Sequence, residues 1–392
     1  MSKLKNTILP IILIFILLAL FIPTLSFAQE QILKIHFIDV GQADSTLVEL
    51  PNGENMLIDA GNNDAGNLIV NYIRNLNISK IDYLIGTHPH EDHIGGLDNV
   101  ISSLNISKIY MPKVTHTTKT FKDVLLAAKR KNLSITPARA GLNLISNNNL
   151  KVDIIAPIGT NYHELNNWSA VIKVTYQDTS FLFTGDAEVD SEHEILALGV
   201  DLHSNILKVG HHGSASSTTA LFLRKINPKY AIISVGQDNK YGHPDPIIIN
   251  RLNLHGVKIY RTDRQGTILA ISDGKKIKFN TVPIAMTDTN NNSGSKIRIA
   301  SVDLKKEIVK IQNTHESTID ISGWKLVSVK GGQSFIFPPA TIIKAGAIIK
   351  ITSGKNAKSG PNNLKWTDSY IWNNDGDPAR LYDKDGKLVG EY

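Results

Sequence analysis

The sequence contains no cysteine among its 392 residues. This absence excludes a disulfide-stabilised fold, a zinc site with thiolate ligands, a thiol nucleophile and a lipidated cysteine anchor. Any metal would therefore be held by histidine and carboxylate side chains. Aromatic residues make up only 7%, but hydrophobic residues make up 42% and charged residues 20%. This composition is typical of a globular protein with an ample core, and the length predicts two or three domains of roughly 150 residues.

Long apolar runs are also scarce, and the one near the start has the features of an export signal. Lys3 and Lys5 precede an apolar run from Ile8 to Ile22, and Ala28 supplies the small residue that a signal peptidase needs. We therefore expect residues 1–28 to be a cleaved signal peptide, with an uncleaved signal anchor as the alternative. The mature chain is then predicted to be secreted, extracellular or associated with the cell wall, without a stable transmembrane segment.

Residues 29–282 alternate short β-rich runs with helical ones, which indicates an α/β fold. Apolar runs such as Ile81–Thr87 and Ile206–Gly210 are typical of strands buried on both faces. The polar stretch within 283–295 predicts a linker. Residues 296–392 contain many short β-like runs and no helical pattern, so they predict an all-β sandwich.

The net charge of +6 is divided unevenly along the chain. Residues 296–392 hold 15 basic and 10 acidic side chains, whereas residues 29–295 hold 25 basic and 26 acidic ones. The basic character therefore belongs to the C-terminal part. It suits attachment to an anionic surface such as cell-wall teichoic acid, nucleic acid or lipid headgroups. The alternative is that these lysines only provide solubility.

Three histidines and an aspartate follow the predicted strand Ile81–Thr87 within six residues, as His88, His90, Asp92 and His93. In extended or loop backbone, His88 and His90 point to the same side and can bind one ion. Asp92 and His93 then face a second position. Imidazole and carboxylate ligands suit Zn²⁺ or Mn²⁺. Each histidine alone would be an ordinary surface or core residue, but so dense a set is hard to explain by packing.

Three further apolar runs end in polar residues, at Asp59, at Asp186 and at the segment from Lys208 to Ser214. Asp186 is placed to bridge two cations, whereas Asp59 is expected to orient ligands or bound water. The alternative for either aspartate is a helix N-cap. The third segment, from Lys208 to Ser214, contains the adjacent pair His211 and His212.

This pattern resembles the metallo-β-lactamase superfamily, whose fold is an αββα sandwich with metals at its edge. Its motifs are particularly similar to those of the extracytoplasmic domain of ComEC-type competence proteins, and the likeness extends over about residues 33–275. Beside the His88–His93 motif, the segments that carry the likeness are Phe37 to Asp44, Asn166 to Ser169, Lys208 to Ser214, Tyr241 to Pro244 and Arg261 to Asp263. The membrane-channel portion of competence proteins has no counterpart here, so a role in DNA uptake is not implied.

The resemblance implies two divalent metal ions, Zn²⁺ or Mn²⁺. The implied ligands are His88 and His90 for one ion, Asp92, His93 and His212 for the other, and Asp186 as the bridge. Typical members of the superfamily supply a third histidine to the first metal. Here the corresponding region reads Asn166 to Ser169, with His163 nearby, so occupancy by one metal is an alternative. The choice of His212 over His211 is left open.

The charge of such a centre suggests its substrate. Two divalent ions, Asp92, Asp186 and a bridging hydroxide sum to about +1, and paired metals stabilise both oxygens of a phosphodiester displacement. The side chains expected to take part in catalysis are Asp59, Asp92, Lys208, His211 and His243. Those expected to bind substrate are Asn167, Ser169 and Ser214. Residues 216–218 are expected to open a helix whose N–H groups bind an anion, with simple N-capping as the alternative.

Residues 296–392 resemble the lamin-tail domain, an immunoglobulin-like sandwich. The likeness is carried by Val309 to Asn313, Ile319 to Leu326, Phe337-Pro338 and Trp372 to Asp377. These motifs are mostly structural, and Trp324 is expected to anchor the core. The resemblance implies adhesion or presentation of substrate for this part.

The leading hypothesis is a secreted, metal-dependent phosphodiesterase that acts on an anionic phosphodiester, with DNA or RNA as the expected substrate. One alternative keeps the centre but changes the substrate to teichoic-acid decorations such as phosphorylcholine esters. The other alternative is a surface-binding protein whose metal fold is only a scaffold.

Overall fold

Short apolar strands build two β-sheets between residues 33 and 279. The computed structural model describes residues 31–284, 297–315, 317–374 and 376–392. The predicted signal peptide lies outside the described residues, as does the predicted linker from residue 285 onward. In chain order the strands of this first part are β1 Leu33–Phe37, β2 Thr46–Glu49, β3 Asn55–Ile58, β4 Lys80–Ile85, β5 Asn105–Met111, β6 Ile135–Pro137, β7 Leu142–Ser146, β8 Leu150–Ala156, β9 Val171–Tyr176, β10 Thr179–Phe183, β11 Ile206–Lys208, β12 Tyr230–Ile233, β13 Lys258–Arg261, β14 Ile268–Ser272 and β15 Ile277–Phe279.

The α-helices of this part alternate with the strands. They are α1 Gly66–Asn75, α2 Glu91–Ile94, α3 Leu97–Ser103, α4 Lys119–Arg130, α5 Val189–Ala197, α6 Ala220–Ile226, α7 Pro246–Leu254 and α8 Thr262–Gln265. Within the described ranges, none of the helices combines the length and apolar character that crossing a bilayer requires.

The strands form an eight-stranded sheet and a seven-stranded sheet, with helices on both outer faces. Their orders are β15-β14-β1-β2-β3-β4-β5-β6 and β13-β12-β11-β10-β9-β8-β7. Phe37 and Ile85 of the first sheet pack with Phe183 of the second in the core between them. Helices α1, α3 and α4 cover the first sheet, and α5, α6 and α7 cover the second. The predicted αββα sandwich is therefore confirmed.

Parallel pairing brings the ends of several strands to one edge of the sandwich. β3 and β4 pair in parallel in the first sheet, and β10, β11 and β12 do so in the second. The residues after the carboxyl ends of parallel strands meet at the same edge, where ligand sites of layered α/β folds lie. Asp59 follows β3, His88 follows β4, Asp186 follows β10 and His211 follows β11.

The C-terminal part is built from short strands in three small sheets. The strands are β16 Ile297–Asp303, β17 Ile308–Asn313, β18 Ile319–Asp320, β19 Lys325–Ser328, β20 Ser334–Ile336, β21 Ile342–Ile343, β22 Ile348–Thr352, β23 Asn363–Lys365, β24 Ala379–Tyr382 and β25 Leu388–Glu391. Leu326, Phe337 and Trp372 lie in their common core, and Trp324 packs against it partly buried. The described residues from 297 onward contain no helix, which confirms the predicted all-β class.

The two parts pack against each other through α7 and β25. Leu388 is partly buried against the core beneath α5, α6 and α7. The buried guanidinium of Arg251 on α7 lies 3.4 Å from the carboxylate of Glu391 on β25. Residues 32–392 accordingly form one contiguous unit.

Candidate metal centre

The segment between β4 and α2 places the first histidine pair. His88 is fully buried, and its Nε2 lies 3.0 Å from Nδ1 of His90. The same Nε2 lies 3.9 Å from Oδ2 of Asp186. The structure thus brings these three predicted ligands together from two different strand ends.

A second group of predicted ligands lies on the other side of Asp186. One ligand atom from each of Asp92, His93, Asp186 and His212 lies within 4.8 Å of the others. His93 Nε2 is 3.1 Å from Asp186 Oδ2, and His212 Nε2 is 3.2 Å from Asp92 Oδ2. Because Asp186 Oδ2 is also 3.9 Å from His212 Nε2, this carboxylate lies between the two groups, as a bridging ligand would.

Unusual backbone geometry separates the paired imidazoles His211 and His212. Both residues have left-handed backbone, with φ of 49° and 54°, which is uncommon outside glycine. His212 Nδ1 donates to the carbonyl of Ser234 at 3.0 Å, which leaves its Nε2 facing Asp92. His211 instead points its Nδ1 to Glu188 Oε1 at 3.1 Å. The turn therefore presents His212 to the ligand group and His211 to the rim.

Asp59 orients the ligands without joining them. Its carboxylate accepts hydrogen bonds from the N–H and the hydroxyl of Thr87, both at 2.7 Å. The other contact is with Nδ1 of His93 at 2.8 Å, which leaves His93 Nε2 facing Asp186. Fixing the free nitrogen of a ligating histidine is what carboxylates beside metal sites do.

Lys208 has a different position from the one predicted. Its side chain is 2% exposed, and Nζ lies 2.7 Å from Asp44 Oδ2 and donates to the carbonyl of Val209 at 3.0 Å. A buried, paired ammonium does not contact substrate, so we assign Lys208 a positioning role. Asp44 also lies 3.3 Å from Nδ1 of His212. Sequence reasoning placed Asp44 in a motif but gave it no role, because its partners are distant in the chain.

Ser169 and Asn167, predicted to bind substrate, are buried instead. Ser169 Oγ lies 3.3 Å from Nδ1 of His88 and accepts from the backbone N–H of Asp186 at 3.0 Å. Asn167 Oδ1 accepts from the N–H groups of Glu188 and Ser191. Both side chains therefore support the ligand loops. His163, the nearby candidate for a third histidine, is exposed.

The predicted anion site at residues 216–218 binds a carboxylate of the protein itself. Helix α6 begins at Ala220, later than expected, and Thr219 is its N-cap. The N–H groups of Thr218 and Thr219 donate to the buried carboxylate of Glu192 at 2.5 and 2.9 Å. The prediction is wrong because a buried glutamate far from this segment in sequence takes its donors. Ser214, predicted to bind substrate, contacts Ser216 Oγ at 3.0 Å.

The histidine and aspartate side chains of the centre shift each other's pKa values. Burial raises the pKa of Asp186, but His93 and His212 outweigh burial and hold that pKa well below its usual range. Burial lowers the pKa of His212, but Asp186 and Asp44 outweigh it and raise that pKa to about 10. His88 lies beside histidines, and burial together with His93 lowers its pKa well below the usual value. Asp92 and Asp186 are therefore ionised at neutral pH, which is the form of a carboxyl group that binds a cation.

The residues fit a divalent metal. Among the described residues, buried Asp186 Oδ1 and His93 Nε2 have no hydrogen-bond partner, and both atoms belong to residues of the ligand group. A buried polar atom left without a partner is costly, and coordination would satisfy both atoms. Imidazole and carboxylate oxygen are donors suited to Zn²⁺ or Mn²⁺. The residues that would hold the ions are His88, His90, Asp92, His93, Asp186 and His212.

The centre opens into a cleft of about 550 Å³. The predicted residues that line it are His90, Asp92, Asp186, His211, His212 and His243. His211 Nε2 lies 3.7 Å from Asp186 Oδ2, and the His211 and His243 rings are 5.7 Å apart. Gln42, Lys240 and Tyr241 also line the cleft, and no role was predicted for them.

Two family models match this chain. Residues 38–237 match the metallo-beta-lactamase superfamily, and residues 290–392 match the Lamin Tail Domain. The first match covers about half of the sequence and contains the whole predicted ligand set. The chain belongs to the metallo-β-lactamase superfamily, and its C-terminal part is a lamin tail domain.

Curated relatives match about three fifths of this chain. ComE operon protein 3 of Bacillus subtilis (strain 168) is 30% identical over 252 residues, which cover 60% of this chain and 32% of that protein. Competence protein ComA of Neisseria gonorrhoeae is 27% identical over 232 residues, which cover 59% and 31%. The chain thus spans about a third of the length of these relatives, and the predicted likeness to ComEC-type proteins is confirmed for that portion.

The similarity to solved structures is more distant. The metallo-beta-lactamase fold protein YhfI from Bacillus subtilis has 11% identity and a TM-score of 0.41, over 62% of this chain and all of that one. Igni18, a metallo hydrolase from Ignicoccus hospitalis, has 13% identity and a TM-score of 0.41, over 61% and 98%.

Proposed function

We propose that this protein is a secreted phosphodiesterase that cleaves nucleic acid with the help of divalent metal ions. The observation that carries the proposal is the bridging position of Asp186, between the pair His88–His90 and the group containing His93 and His212. A carboxylate between two sets of ligands suits two cations, and a two-metal centre suits in-line displacement at a phosphodiester.

The metal ions, when bound, supply Lewis acidity toward a phosphoryl oxygen and make water a nucleophile near neutral pH. Asp186 and Asp92 would hold the cations, and Asp59 keeps the ring of His93 aimed at Asp186. His211 and His243 face the cleft and are placed to donate a proton to the leaving oxygen. Lys240 on the same wall adds a positive charge for the phosphate chain.

The competence-protein names of the relatives favour a nucleic acid over other phosphodiesters. Because the chain matches only about a third of those proteins, their whole activity is not transferred here. The apolar start of the chain and the small residue Ala28 support export. The excess of basic residues after 296 supports attachment to an anionic surface, such as a cell wall.

Hydrolysis assays with Mn²⁺ or Zn²⁺ test the catalytic proposal, with plasmid DNA and bis-p-nitrophenyl phosphate as substrates. We expect turnover of both by the wild-type protein and none by Asp186→Ala. Asp82→Ala is a matched control, since Asp82 is a buried carboxylate of β4 away from the ligands. Inactivity on both substrates would reject the proposal, and hydrolysis of phosphorylcholine esters alone would favour the teichoic-acid alternative.

Cell fractionation tests the proposed location. We expect the protein in the medium or the wall fraction, with release from the wall by high salt, because salt screens charge attraction. Retention in the cytoplasm would contradict export.

A further inference from the structure

We infer that Tyr241 is a stacking platform for a nucleobase, so that the cleft binds single-stranded nucleic acid beside the metal centre. This inference rests on the proposed function and names its substrate more narrowly. Tyr241 lies in the segment between β12 and α7, lines the cleft, and leaves 60% of its surface exposed. An aromatic ring this exposed contributes little to folding, and its place in the cleft wall makes it available to a ligand.

The ring of Tyr241 packs against a histidine ring of the cleft. Tyr241 and His243 are stacked, with centroids 6.0 Å apart and planes 19° apart. His243 in turn lies edge-on to His211, whose Nε2 is 3.7 Å from Asp186 Oδ2. The three rings therefore lead from the bridging carboxylate to the mouth of the cleft. A nucleotide whose phosphate lies at the centre would carry its base along this row.

The turn that bears Tyr241 is fixed before any ligand arrives. The side chain of Asn239 accepts from the N–H groups of Tyr241 and His243, at 3.2 and 3.0 Å. It also donates to the carbonyls of Gly236 and His243, at 3.0 and 2.6 Å. Gly242 takes a φ of 73°, which glycine adopts without a steric penalty. A fixed ring loses little freedom on binding, which favours affinity.

The positive charge of Lys240, next to Tyr241, suits the phosphates of a nucleic-acid backbone. Nζ of the exposed Lys240 lies 5.3 Å from the centroid of the Tyr241 ring. Stacking of a base on an aromatic ring is stronger than an exposed cation–π contact, so a base would displace this flexible side chain. The ammonium would then be free to pair with a backbone phosphate. Aromatic rings beside cations are the usual elements of sites for single strands.

Base-dependent binding tests the inference separately from catalysis. Fluorescence anisotropy in EDTA would compare oligothymidylate with a tetrahydrofuran abasic oligomer of equal length, which has the same charge but no bases. We expect wild-type protein to prefer the thymidylate about tenfold, as one stacked base provides. Tyr241→Ala should lose this preference, and Tyr241→Phe should keep it because the ring remains. Tyr370→Ala, which removes a tyrosine 65% exposed in the lamin tail domain, should also keep it.

Equal binding of both oligomers by wild-type protein would overturn the inference, as would a preference that survives in Tyr241→Ala. Oligouridylate of the same length separates RNA from DNA, and a base preference with either polymer supports the platform. Because these measurements need no metal, they can succeed where the hydrolysis assays fail, and hydrolysis can succeed where the base preference is absent.

Discussion

Glu391 of the lamin tail domain and Arg251 of the metallo-β-lactamase part form a buried ion pair, with Nη2 of Arg251 3.4 Å from Oε2 of Glu391. Nη1 of the same guanidinium donates to the carbonyls of Ser217 and Thr218 at 3.4 and 2.5 Å. The hydroxyl of Thr218 accepts from the N–H of Gly210, next to His211. The tail domain is thereby connected through one side chain to the loop that carries two histidines of the cleft.

Glu391→Gln is expected to destabilise the protein by about 3 kcal/mol, because the buried charge of Arg251 would lose its nearest carboxylate and Arg380 would lose its ion pair with the same oxygen, at 3.1 Å. The pair Lys119–Asp123 provides a control, since it lies on the exposed face of α4. Asp123→Asn should produce no measurable change in stability. Urea unfolding followed by tryptophan fluorescence measures both variants. Equal midpoints for wild type and Glu391→Gln would show that the ion pair does not stabilise the joined domains.

Glu192 is expected to make stability depend on pH. Burial raises the pKa of this carboxyl to about 7, although hydrogen bonds from Thr219 and Thr218 lower it. A raised pKa means that the folded protein binds the proton more tightly than the unfolded chain. The resulting stability is present below about pH 4.5 and is lost as pH rises through 7.

Between pH 5 and pH 8 the wild type should therefore lose about 2–3 kcal/mol more stability than Glu192→Gln, which cannot titrate. Glu164→Gln removes an exposed carboxylate and should keep the wild-type profile. Urea midpoints at four pH values are sufficient. A wild-type profile parallel to that of Glu192→Gln would refute the raised pKa.

Local patterns in the sequence were sufficient to predict most of the sandwich. The predicted strands Ile81–Thr87 and Ile206–Gly210 correspond to β4 and β11, because each is an apolar run closed by polar or turn residues. Strand β5 is difficult to recognise in the sequence because its first half is mostly exposed and polar, and α3 is difficult because it has only seven residues. The order of the strands within each sheet depends on long-range pairing, which the sequence does not display.

In the candidate site, too, the residues close together in sequence could be predicted, whereas contacts between distant residues could not. His88, His90, Asp92 and His93 could be recognised because they are adjacent in sequence and follow one strand. Lys208 was predicted to take part in catalysis, although it lies within the apolar run Ile206–Gly210, because its partner Asp44 is distant in the chain and the sequence does not show that the two side chains pair. A charged residue beside a cluster of histidines is as consistent with a hidden ion pair as with a substrate contact, and only the fold distinguishes them.

The pair Asp44–Lys208 gives a further prediction. Lys208 and His212 hold the pKa of Asp44 at about 2, although burial raises it, so the carboxylate is charged at neutral pH. Asp44→Asn would leave Lys208 as an uncompensated buried ammonium and should cost about 3–5 kcal/mol. Adding Lys208→Met should recover part of that loss, and a double-mutant cycle measures the coupling.

Asp303→Asn is the control for this cycle, because Asp303 pairs with Lys306 at 3.2 Å and both side chains are exposed. Its loss should change stability little, since an exposed partner can be replaced by water. Additive effects of Asp44→Asn and Lys208→Met would mean that the two side chains do not stabilise each other.

Asp59→Asn is expected to weaken metal binding about 10- to 100-fold without unfolding the protein, because an amide holds the ring of His93 less firmly than a carboxylate. Asp82→Asn is the matched control. That carboxylate is also buried, accepts from the N–H of Asn55 at 3.0 Å and pairs with Lys80 at 2.6 Å, remote from the ligands. Competition against a fluorescent chelator measures the affinity for Zn²⁺ or Mn²⁺, and circular dichroism checks the fold. If Asp59→Asn bound metal as tightly as Asp82→Asn, the orientation of His93 would not depend on this carboxylate, and its role would be confined to the hydrogen bonds with Thr87.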